Sequence, residues 1–250
     1  ILGAPFYVME RIEGIILRKN LPKNLSFSPD EARTLCHQLI DVLVQLHNLD
    51  YKNLGLENYG KPLGYISRQV SGWSKRYRAA RTPDAPDFES IMDWLEKNQP
   101  EDSKSPALIH NDYKFDNVIL DPKNPLKIIG VLDWEMATIG DPLMDLGATI
   151  AYWINRDDND EMQLIRMLPT NMEGALTRTE VIDYYMAQSG RSVDEFTFYQ
   201  VCNVFRVATI AQQIYYRYYH KQTSDDRFAM MIAAVQVMER SIQNLLEKTG

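Results

Sequence analysis

The stretch that decides the fold runs from residue 108 to residue 145 and reads LIHNDYKFDNVILDPKNPLKIIGVLDWEMATIGDPLMD. Short apolar runs separated by polar loops predict a strand, a loop, a strand, a turn, a strand, a loop and a helix, in that order. The turn over 121–125 has the Asp, Pro and Asn residues that a chain reversal requires. The loops contain more carboxylate and amide side chains than a core tolerates without a purpose, so we expect the functional site here.

Three of these polar side chains are expected to meet in one place. Asp112 and Asn117 lie five residues apart and flank a loop between two strands, so both can turn to the same side. Asp133 ends the strand predicted over 128–132, which a hairpin brings beside the strand over 118–120. Two carboxylates and an amide suit phosphoryl transfer, which needs ligands for Mg²⁺ and a carboxylate that accepts the proton of a hydroxyl. Each residue alone could instead be a turn or helix cap, but three at these spacings favour a site.

At these residues the sequence resembles a known superfamily. The segment HNDYKFDN over 110–117 is similar to the catalytic loop of protein-kinase-like enzymes. Asp-Trp-Glu over 133–135 resembles the metal-binding segment of the aminoglycoside phosphotransferase and choline kinase branch. The segments GDPLMDL over 140–146 and GYISRQVSGW over 64–73 extend the resemblance to the phosphotransferase-like domains associated with acyl-CoA dehydrogenases. The resemblance covers most of the chain.

The resemblance implies a role for several residues. Asp112 would be the catalytic base, and Lys114 would face the transferred phosphate. Asn117 and Asp133 would bind Mg²⁺ and, through it, ATP. Asp145 would order the catalytic loop from the helix that follows.

The sequence also indicates roles for three neighbouring residues. His110 is expected to pack and to hold the loop by hydrogen bonds rather than to move protons. Glu135 either approaches a second Mg²⁺ or caps a turn. Asn111 stands where the family has glycine, and asparagine tolerates the same backbone angle.

Upstream, the segment VMERIEG over 8–14 resembles the hinge between the two kinase lobes. There the Glu10 carbonyl and the Ile12 amide would hydrogen-bond adenine, and Met9 would line the pocket behind it. A strand is predicted over 6–12. The expected fold class is α+β and protein-kinase-like, with the end of the small lobe and the hinge in 1–14 and a mostly helical large lobe, bearing a small β-hairpin at the active site, in 15–250. On this expectation most of the N-terminal small lobe is missing, and the chain is a fragment that catalyses poorly by itself.

Capping signals predict where several helices begin. Ser28, Pro29 and Glu31 fit an N-cap, a first-turn proline and a capping box, and apolar residues then recur at helical spacing up to Leu46. This pattern predicts a core helix that ends near His47. Similar signals predict helices after Asp141 and over 87–97, 178–189, 193–220 and 226–248, capping boxes at Thr177/Glu180 and Ser192/Glu195, a helix stop at Gly190 and an acidic surface loop over 155–161.

Composition narrows the function classes. The 250 residues have a net charge of −7, which opposes nonspecific binding to nucleic acid or to an anionic membrane. No apolar run approaches the length of a membrane span, and the chain does not open like a signal peptide, so we expect a soluble, cytoplasmic protein. Cys36 and Cys202 both lie in apolar helical patterns and are expected to be buried free thiols.

The acceptor of the phosphate is the least determined part of the prediction. The segment 65–81 contains five basic residues and no acidic one, interleaved with aromatic residues. It is either a binding surface for an anionic ligand or a solvated helix face. With the resemblance, it points to a small hydroxylated substrate such as a hydroxyacyl-CoA and to a functional link with an acyl-CoA dehydrogenase. The alternatives are an aminoglycoside or amino-alcohol kinase, an inactive kinase-like binding module and a metal-dependent hydrolase.

Overall fold

The computed structural model describes residues 9–248. Most of this range is helical, and short strands occur only in its middle third. The helices are α1 (Pro29–His47), α2 (Tyr65–Ala80), α3 (Glu89–Lys97), α4 (Pro142–Ala151), α5 (Asp160–Ile165), α6 (Arg178–Ser189), α7 (Thr197–Tyr219) and α8 (Met231–Glu247). The strands are β1 (Ala107–Ile109), β2 (Val118–Leu120), β3 (Ile128–Val131) and β4 (Thr138–Gly140). Single 3-10 turns cover Phe115–Asn117, Trp134–Met136 and Asp226–Met230.

The strands form two antiparallel pairs. β2 and β3 make the predicted hairpin, in which Val118 lies opposite Val131. β1 pairs with β4, with Leu108 opposite Ile139. The prediction of a loop between the strand over 128–132 and the helix after Asp141 was wrong in one respect, because strand β4 lies in that interval. Three residues are too few to show a strand pattern, and the partner of β4 lies some thirty residues earlier in the chain.

The two helix starts with complete capping boxes are confirmed. At α1 the Ser28 hydroxyl accepts a hydrogen bond from the Glu31 amide, and the Glu31 carboxylate accepts one from the Ser28 amide. Thr177 and Glu180 repeat this arrangement at α6. Gly190, at φ +68°, ends α6 as predicted. Local hydrogen bonds decide these helix ends, and for that reason the sequence predicts them well.

Other predicted boundaries are corrected. The capping box at Ser192/Glu195 was wrong, since α7 begins at Thr197, whose hydroxyl donates instead to Glu195. The adjacent Phe196 is buried in the core, and this packing overrides the local capping signal. The predicted acidic loop over 155–161 is shorter, because 160–161 belong to α5, which Asn159 caps. The helix predicted over 87–97 begins at 89, and the first five residues of the helix predicted over 226–248 form a 3-10 turn. Of the strand predicted over 6–12, residues 9–12 are not a strand, and 6–8 lie outside the described residues.

The hydrophobic core joins α1, α4 and α7 to the strand pairs. α4 approaches α7 closely at Gly147, where a Cβ atom would lie 2.5 Å from Asn203 Nδ2 and 2.7 Å from the Tyr199 carbonyl oxygen. Cys36 and Cys202 are buried and free, as predicted. Within residues 9–248, no helix is both long enough and apolar enough to cross a lipid bilayer.

Candidate active site

Asp145 on α4 fixes the backbone of the predicted catalytic loop. Its carboxylate accepts hydrogen bonds from the amides of His110 (2.7 Å) and Asn111 (2.6 Å). His47, at the end of α1, approaches the same carboxylate through Nε2 at 3.0 Å and the Tyr185 hydroxyl through Nδ1 at 2.6 Å. Burial raises the pKa of the Asp145 carboxyl, but these hydrogen bonds and the nearby His47 outweigh burial and keep the pKa below its usual range. The carboxylate is therefore held in its charged form.

His110 links this loop to the segment that contains Asp133. The fully buried imidazole places Nε2 2.7 Å from the Leu132 carbonyl oxygen, while Nδ1 accepts from the Asp112 amide at 3.2 Å. Its ring lies 4.9 Å from that of Trp134. His110 thus holds the loop by hydrogen bonds, as the sequence indicated.

Asn111 adopts the left-handed conformation, with φ +66°. This angle accounts for an asparagine at a position where the resembling family has glycine. The side chain makes two hydrogen bonds that glycine lacks, donating to the Met136 carbonyl (2.8 Å) and accepting from the Tyr65 hydroxyl (2.8 Å). Tyr65 begins α2, so Asn111 ties that helix to the catalytic loop.

Asp112, Lys114 and Asn117 are in direct contact. The Lys114 ammonium hydrogen-bonds Asp112 Oδ2. Asn117 Nδ2 donates to the same oxygen at 3.0 Å and to the Asp112 carbonyl at 2.8 Å. Among residues 9–248, no group donates to Asp112 Oδ1, and 22% of the side chain is exposed. One carboxylate oxygen is therefore oriented by two donors, while the other stays available.

Asn117 and Asp133 meet at the open end of the hairpin. The Asn117 carbonyl accepts from the Leu132 amide at 2.8 Å, so Asp133 directly follows the residue paired with Asn117. Asp133 has φ +67°, is exposed and has no side-chain partner in the described range, and Asn117 Oδ1 is likewise free there. An amide oxygen and a carboxylate suit Mg²⁺, which usually takes one or two protein ligands and completes its shell with phosphates and water.

Two further observations concern metal binding. Between residues 9 and 248, no group of three or more His, Cys, Asp or Glu side chains is arranged to hold a metal ion. Glu135 is exposed, and its side chain forms no hydrogen bond or ion pair within that range, so the predicted capping role is wrong there.

The predicted hinge segment lies against the same hairpin. Ile15 and Leu120 exchange backbone hydrogen bonds of 2.9 and 2.8 Å, and the Ile12 side chain packs over Gly130 of β3. Met9 is 67% exposed. The Glu10 carbonyl and the Ile12 amide form no hydrogen bond with any described residue. The structure thus packs Ile12 on β3, the strand that leads to Asp133, while Met9 and Glu10 are exposed.

Sequence reasoning missed two residues beside Lys114. Asp116 Oδ1 lies 3.6 Å from Lys114 Nζ, and it is buried without a hydrogen-bond partner in the described part of the chain. Burial raises the pKa of the Asp116 carboxyl, and the charge of Lys114 opposes this shift. The Tyr152 ring lies 5.2 Å from Lys114 Nζ. Asp116 lies inside the quoted motif and could have been noticed, whereas no sequence signal marks Tyr152.

Comparison with known proteins identifies the family. A family model described as "Phosphotransferase enzyme family" matches residues 1–171, more than half of the chain. The chain belongs to the phosphotransferase enzyme family. This family typically uses ATP and Mg²⁺, and membership supports a small-molecule kinase activity in general.

Relatives and solved structures agree with this membership of the phosphotransferase family. Acyl-CoA dehydrogenase family member 11 of Pongo abelii is 34% identical over 255 residues, which cover 97% of this chain and 31% of the relative. The chain therefore spans less than a third of that relative's length. A putative aminoglycoside phosphotransferase from Ralstonia eutropha superposes with a TM-score of 0.82 at 29% identity, covering 96% of this chain and 72% of the other. Choline kinase from Cryptosporidium parvum superposes with a TM-score of 0.61 at 12% identity, with coverages of 96% and 71%.

These likenesses confirm the predicted fold class. The phosphotransferase chain has a protein-kinase-like α+β fold, in which a mostly helical lobe holds a short β-hairpin beside the candidate site. They also confirm the resemblance to the aminoglycoside phosphotransferase and choline kinase branch and to domains associated with acyl-CoA dehydrogenases.

Proposed function

We propose that the protein is an ATP- and Mg²⁺-dependent kinase that transfers the γ-phosphoryl group to a hydroxyl of a small molecule. One observation carries the proposal: two donors hold one oxygen of the Asp112 carboxylate and leave the other free, beside the exposed Asp133. A base that is oriented but not blocked is what an acceptor hydroxyl requires.

In the proposed reaction Asp112 Oδ1 accepts the proton of the acceptor hydroxyl. The hydroxyl oxygen forms a bond to the γ-phosphorus while the bond from that phosphorus to the β,γ-bridging oxygen breaks, and ADP leaves. Lys114 offsets the negative charge of the transferred group. Asn117 Oδ1 and the Asp133 carboxylate would hold Mg²⁺, which when bound neutralises phosphate charge.

The hinge segment is proposed to hold adenine. The Glu10 carbonyl and the Ile12 amide are free within the described residues, and the segment packs on the hairpin that leads to Asp133. Met9 would line the pocket behind the base. On this proposal residues 1–14 are the end of a small lobe and the hinge, and 15–250 are the large lobe.

For the acceptor we propose a hydroxyacyl-CoA first. The relatives named acyl-CoA dehydrogenases and the basic, aromatic helix α2 support this choice, and a functional link with such a dehydrogenase follows from it. The aminoglycoside phosphotransferase and choline kinase names of the structural neighbours support an aminoglycoside or an amino alcohol as the second candidate. We propose a cytoplasmic location, in line with the buried free cysteines.

The test measures ATP consumption and product mass in the full-length protein that contains this sequence, with Mg²⁺ and with hydroxyacyl-CoAs, amino alcohols and aminoglycosides as acceptors. Asp112→Asn should lower kcat by roughly 10²- to 10⁴-fold with little change in nucleotide affinity, because loss of a general base acts on the transition state. Asp133→Ala should instead weaken Mg²⁺-nucleotide binding, measured by calorimetry.

The exposed Asp157 provides the control, since Asp157→Asn should change neither quantity. Unchanged turnover in Asp112→Asn would contradict the assigned base. Phosphate release without any acceptor would indicate a hydrolase, and nucleotide binding without turnover on any acceptor would favour a binding module.

A further inference from the structure

One face of α2 leads away from the catalytic loop. Tyr65, Gln69, Trp73 and Arg76 follow each other at spacings of four, four and three residues, which places them on one side of the helix. Tyr65 contacts Asn111 at one end through its hydroxyl, 2.8 Å from the amide oxygen. From Tyr65 to Trp73 the helix rises about 12 Å. The far end of this face is therefore well separated from the residues that would perform the chemistry.

At that far end two guanidinium groups contact the ring of Trp73. The Arg76 guanidinium lies 4.6 Å from the ring centroid, and that of Arg206, on α7, lies 5.5 Å from it. Trp73 is only 8% exposed, and its indole Nε1 donates to Gln69 Oε1 at 3.2 Å. Burial and this hydrogen bond hold the ring in one orientation, in which both guanidinium groups make cation–π contacts with it.

Neither of the two arginines has an anionic partner in the part of the chain that the structure describes. Within residues 9–248, no side-chain hydrogen bond or ion pair joins Arg76 or Arg206 to another residue, although the neighbouring Arg78 is paired with Glu89 at 2.6 Å. Arg206 is half-buried. Its guanidinium retains five donor hydrogens, and none of its nitrogens is among the fully buried unpartnered atoms of residues 9–248, so the fork is open to a ligand. An acceptor from outside the chain would satisfy these donors.

The unpaired charge lies within electrostatic reach of the catalytic loop. Burial raises the pKa of the Tyr152 hydroxyl most, the Asp112 carboxylate raises it further and Arg206 lowers it. The pKa of Tyr152 therefore depends on the charges of both Asp112 and Arg206. The Tyr152 ring also contacts Lys114. The charge of Arg206 thus acts on a residue whose ring lies 5.2 Å from Lys114 Nζ.

We propose that Arg206 and Arg76, held on Trp73, form a subsite for an oxyanion of the acceptor, a phosphate or a carboxylate, at the end remote from the reacting hydroxyl. The proposal rests on the kinase function proposed above. Guanidinium forks pair with two oxygens of either group. The subsite selects extended anionic acceptors and repels polycations such as aminoglycosides.

The first experiment compares three acceptors that share one hydroxyacyl group: its CoA thioester, its uncharged pantetheine thioester and a thioester that ends in a carboxylate. Arg206→Met keeps an apolar chain on Trp73 and removes the charge. We expect KM for the CoA thioester to rise roughly 10- to 100-fold with kcat retained, because charge-assisted hydrogen bonds are lost. KM for the pantetheine thioester should not change. Comparison of KM for the CoA thioester with KM for the carboxylate-terminated thioester shows whether the site prefers a phosphate or a carboxylate.

Matched variants separate recognition from folding. Arg206→Lys keeps the charge without the fork and should give an intermediate KM, and Arg76→Met should give a smaller rise because Arg76 is exposed. Lys75→Met removes an exposed cation on the opposite side of α2 and should change nothing. If Arg206→Met does not fold, Arg76→Met carries the test. Equal loss with the charged and uncharged acceptors would assign Arg206 a structural role and overturn the proposal.

A binding measurement distinguishes this proposal from the function on which it rests. Calorimetry with CoA alone, and separately with a linear dicarboxylate, needs no turnover. Binding that Arg206→Met weakens roughly tenfold or more supports the subsite even if no acceptor is phosphorylated, in which case the kinase proposal alone fails. Absence of binding by both probes, or binding unaffected by Arg206→Met, overturns the subsite.

Discussion

At the scale of single residues, Asn111 shows how backbone strain and hydrogen bonding are combined in the catalytic loop. Its φ of +66° is unfavourable for residues other than glycine, by about 1 to 2 kcal/mol for an ordinary L-residue. Its amide hydrogen-bonds Met136 and Tyr65. The asparagine side chain thus offsets the unfavourable backbone angle, because its two hydrogen bonds join three segments around the site.

The two contributions can be separated by substitution. Asn111→Gly and Asn111→Ala lose the same two hydrogen bonds, but only alanine retains the strain. We expect the alanine variant to have a free energy of unfolding about 1 kcal/mol lower than the glycine variant, measured by urea denaturation. At Asn98, where φ is −109°, glycine should not be the more stable of the two. Equal stabilities of the two Asn111 variants would show that the angle is relieved in solution.

At this scale the sequence was most informative about chemistry. Asp112 and Asn117 could be paired from their spacing because one short loop carries both, and the structure joins them at 3.0 Å. Asp133 could be added because a hairpin needs only local turn residues. Arg206 and Tyr152 could not be assigned in this way. Tyr152 directly follows α4 and Arg206 lies on α7, the packing of these helices depends on the whole core, and no local pattern encodes that packing.

At the scale of elements, α4 approaches α7 closely because residue 147 is glycine and has no Cβ atom. A Cβ atom on Gly147 would lie 2.7 Å from the Tyr199 carbonyl oxygen, and backbone cannot easily move away. Asp145, which orders the catalytic loop, is two residues earlier on the same helix. The close contact therefore also sets the position of that carboxylate.

A pair of glycine substitutions tests this contact. Gly147→Ala should lower the free energy of unfolding by about 1 to 3 kcal/mol through overpacking, despite the better helix propensity of alanine. Gly72→Ala, on α2, should raise it by about 0.5 to 1 kcal/mol, since the new methyl group meets only the flexible end of Arg76 at 3.4 Å. Thermal or chemical unfolding measures both. Stabilisation by both substitutions would mean that the two helices separate readily.

Elements were predictable to the extent that local interactions define them. α1 and α6 begin at capping boxes that the sequence displays, and both starts are confirmed. β4 was missed because it pairs with β1, which lies far away in the chain. The start of α7 was misplaced because the burial of Phe196 outweighs the capping residues before it. Nonlocal pairing and tertiary packing are what a single sequence does not reveal.

At the scale of the whole molecule, one buried network connects distant parts of the chain to the site. Tyr185 of α6 contacts His47 of α1, which contacts Asp145 of α4, which holds the amides that begin the catalytic loop. The distances along the chain are large, yet each link is a hydrogen bond of 3.0 Å or less. Loop order therefore depends on the packing of three helices at once.

This network predicts the acid sensitivity of the protein. Because the folded-state pKa of Asp145 lies below its ordinary value, the unfolded chain binds a proton there more readily. The stabilisation is fully present above the unfolded pKa of about 3.9 and is lost as the pH falls through the folded value. Asp145→Asn should lower the free energy of unfolding at pH 7 by about 3 kcal/mol or more, since an amide donor would face a backbone N–H.

The measurement is chemical denaturation of both proteins between pH 3 and pH 7. The difference between them should narrow below about pH 4, because the unfolded wild-type chain binds a proton at residue 145 there while the native carboxylate is still charged. Other carboxylates also weaken the protein in acid, but they are common to both proteins, so their effect cancels in the difference. Asp157→Asn removes an exposed carboxylate that has no partner in the described chain, and it controls for net charge. A difference that keeps its full size at pH 3 would mean that the Asp145 charge does not hold the loop.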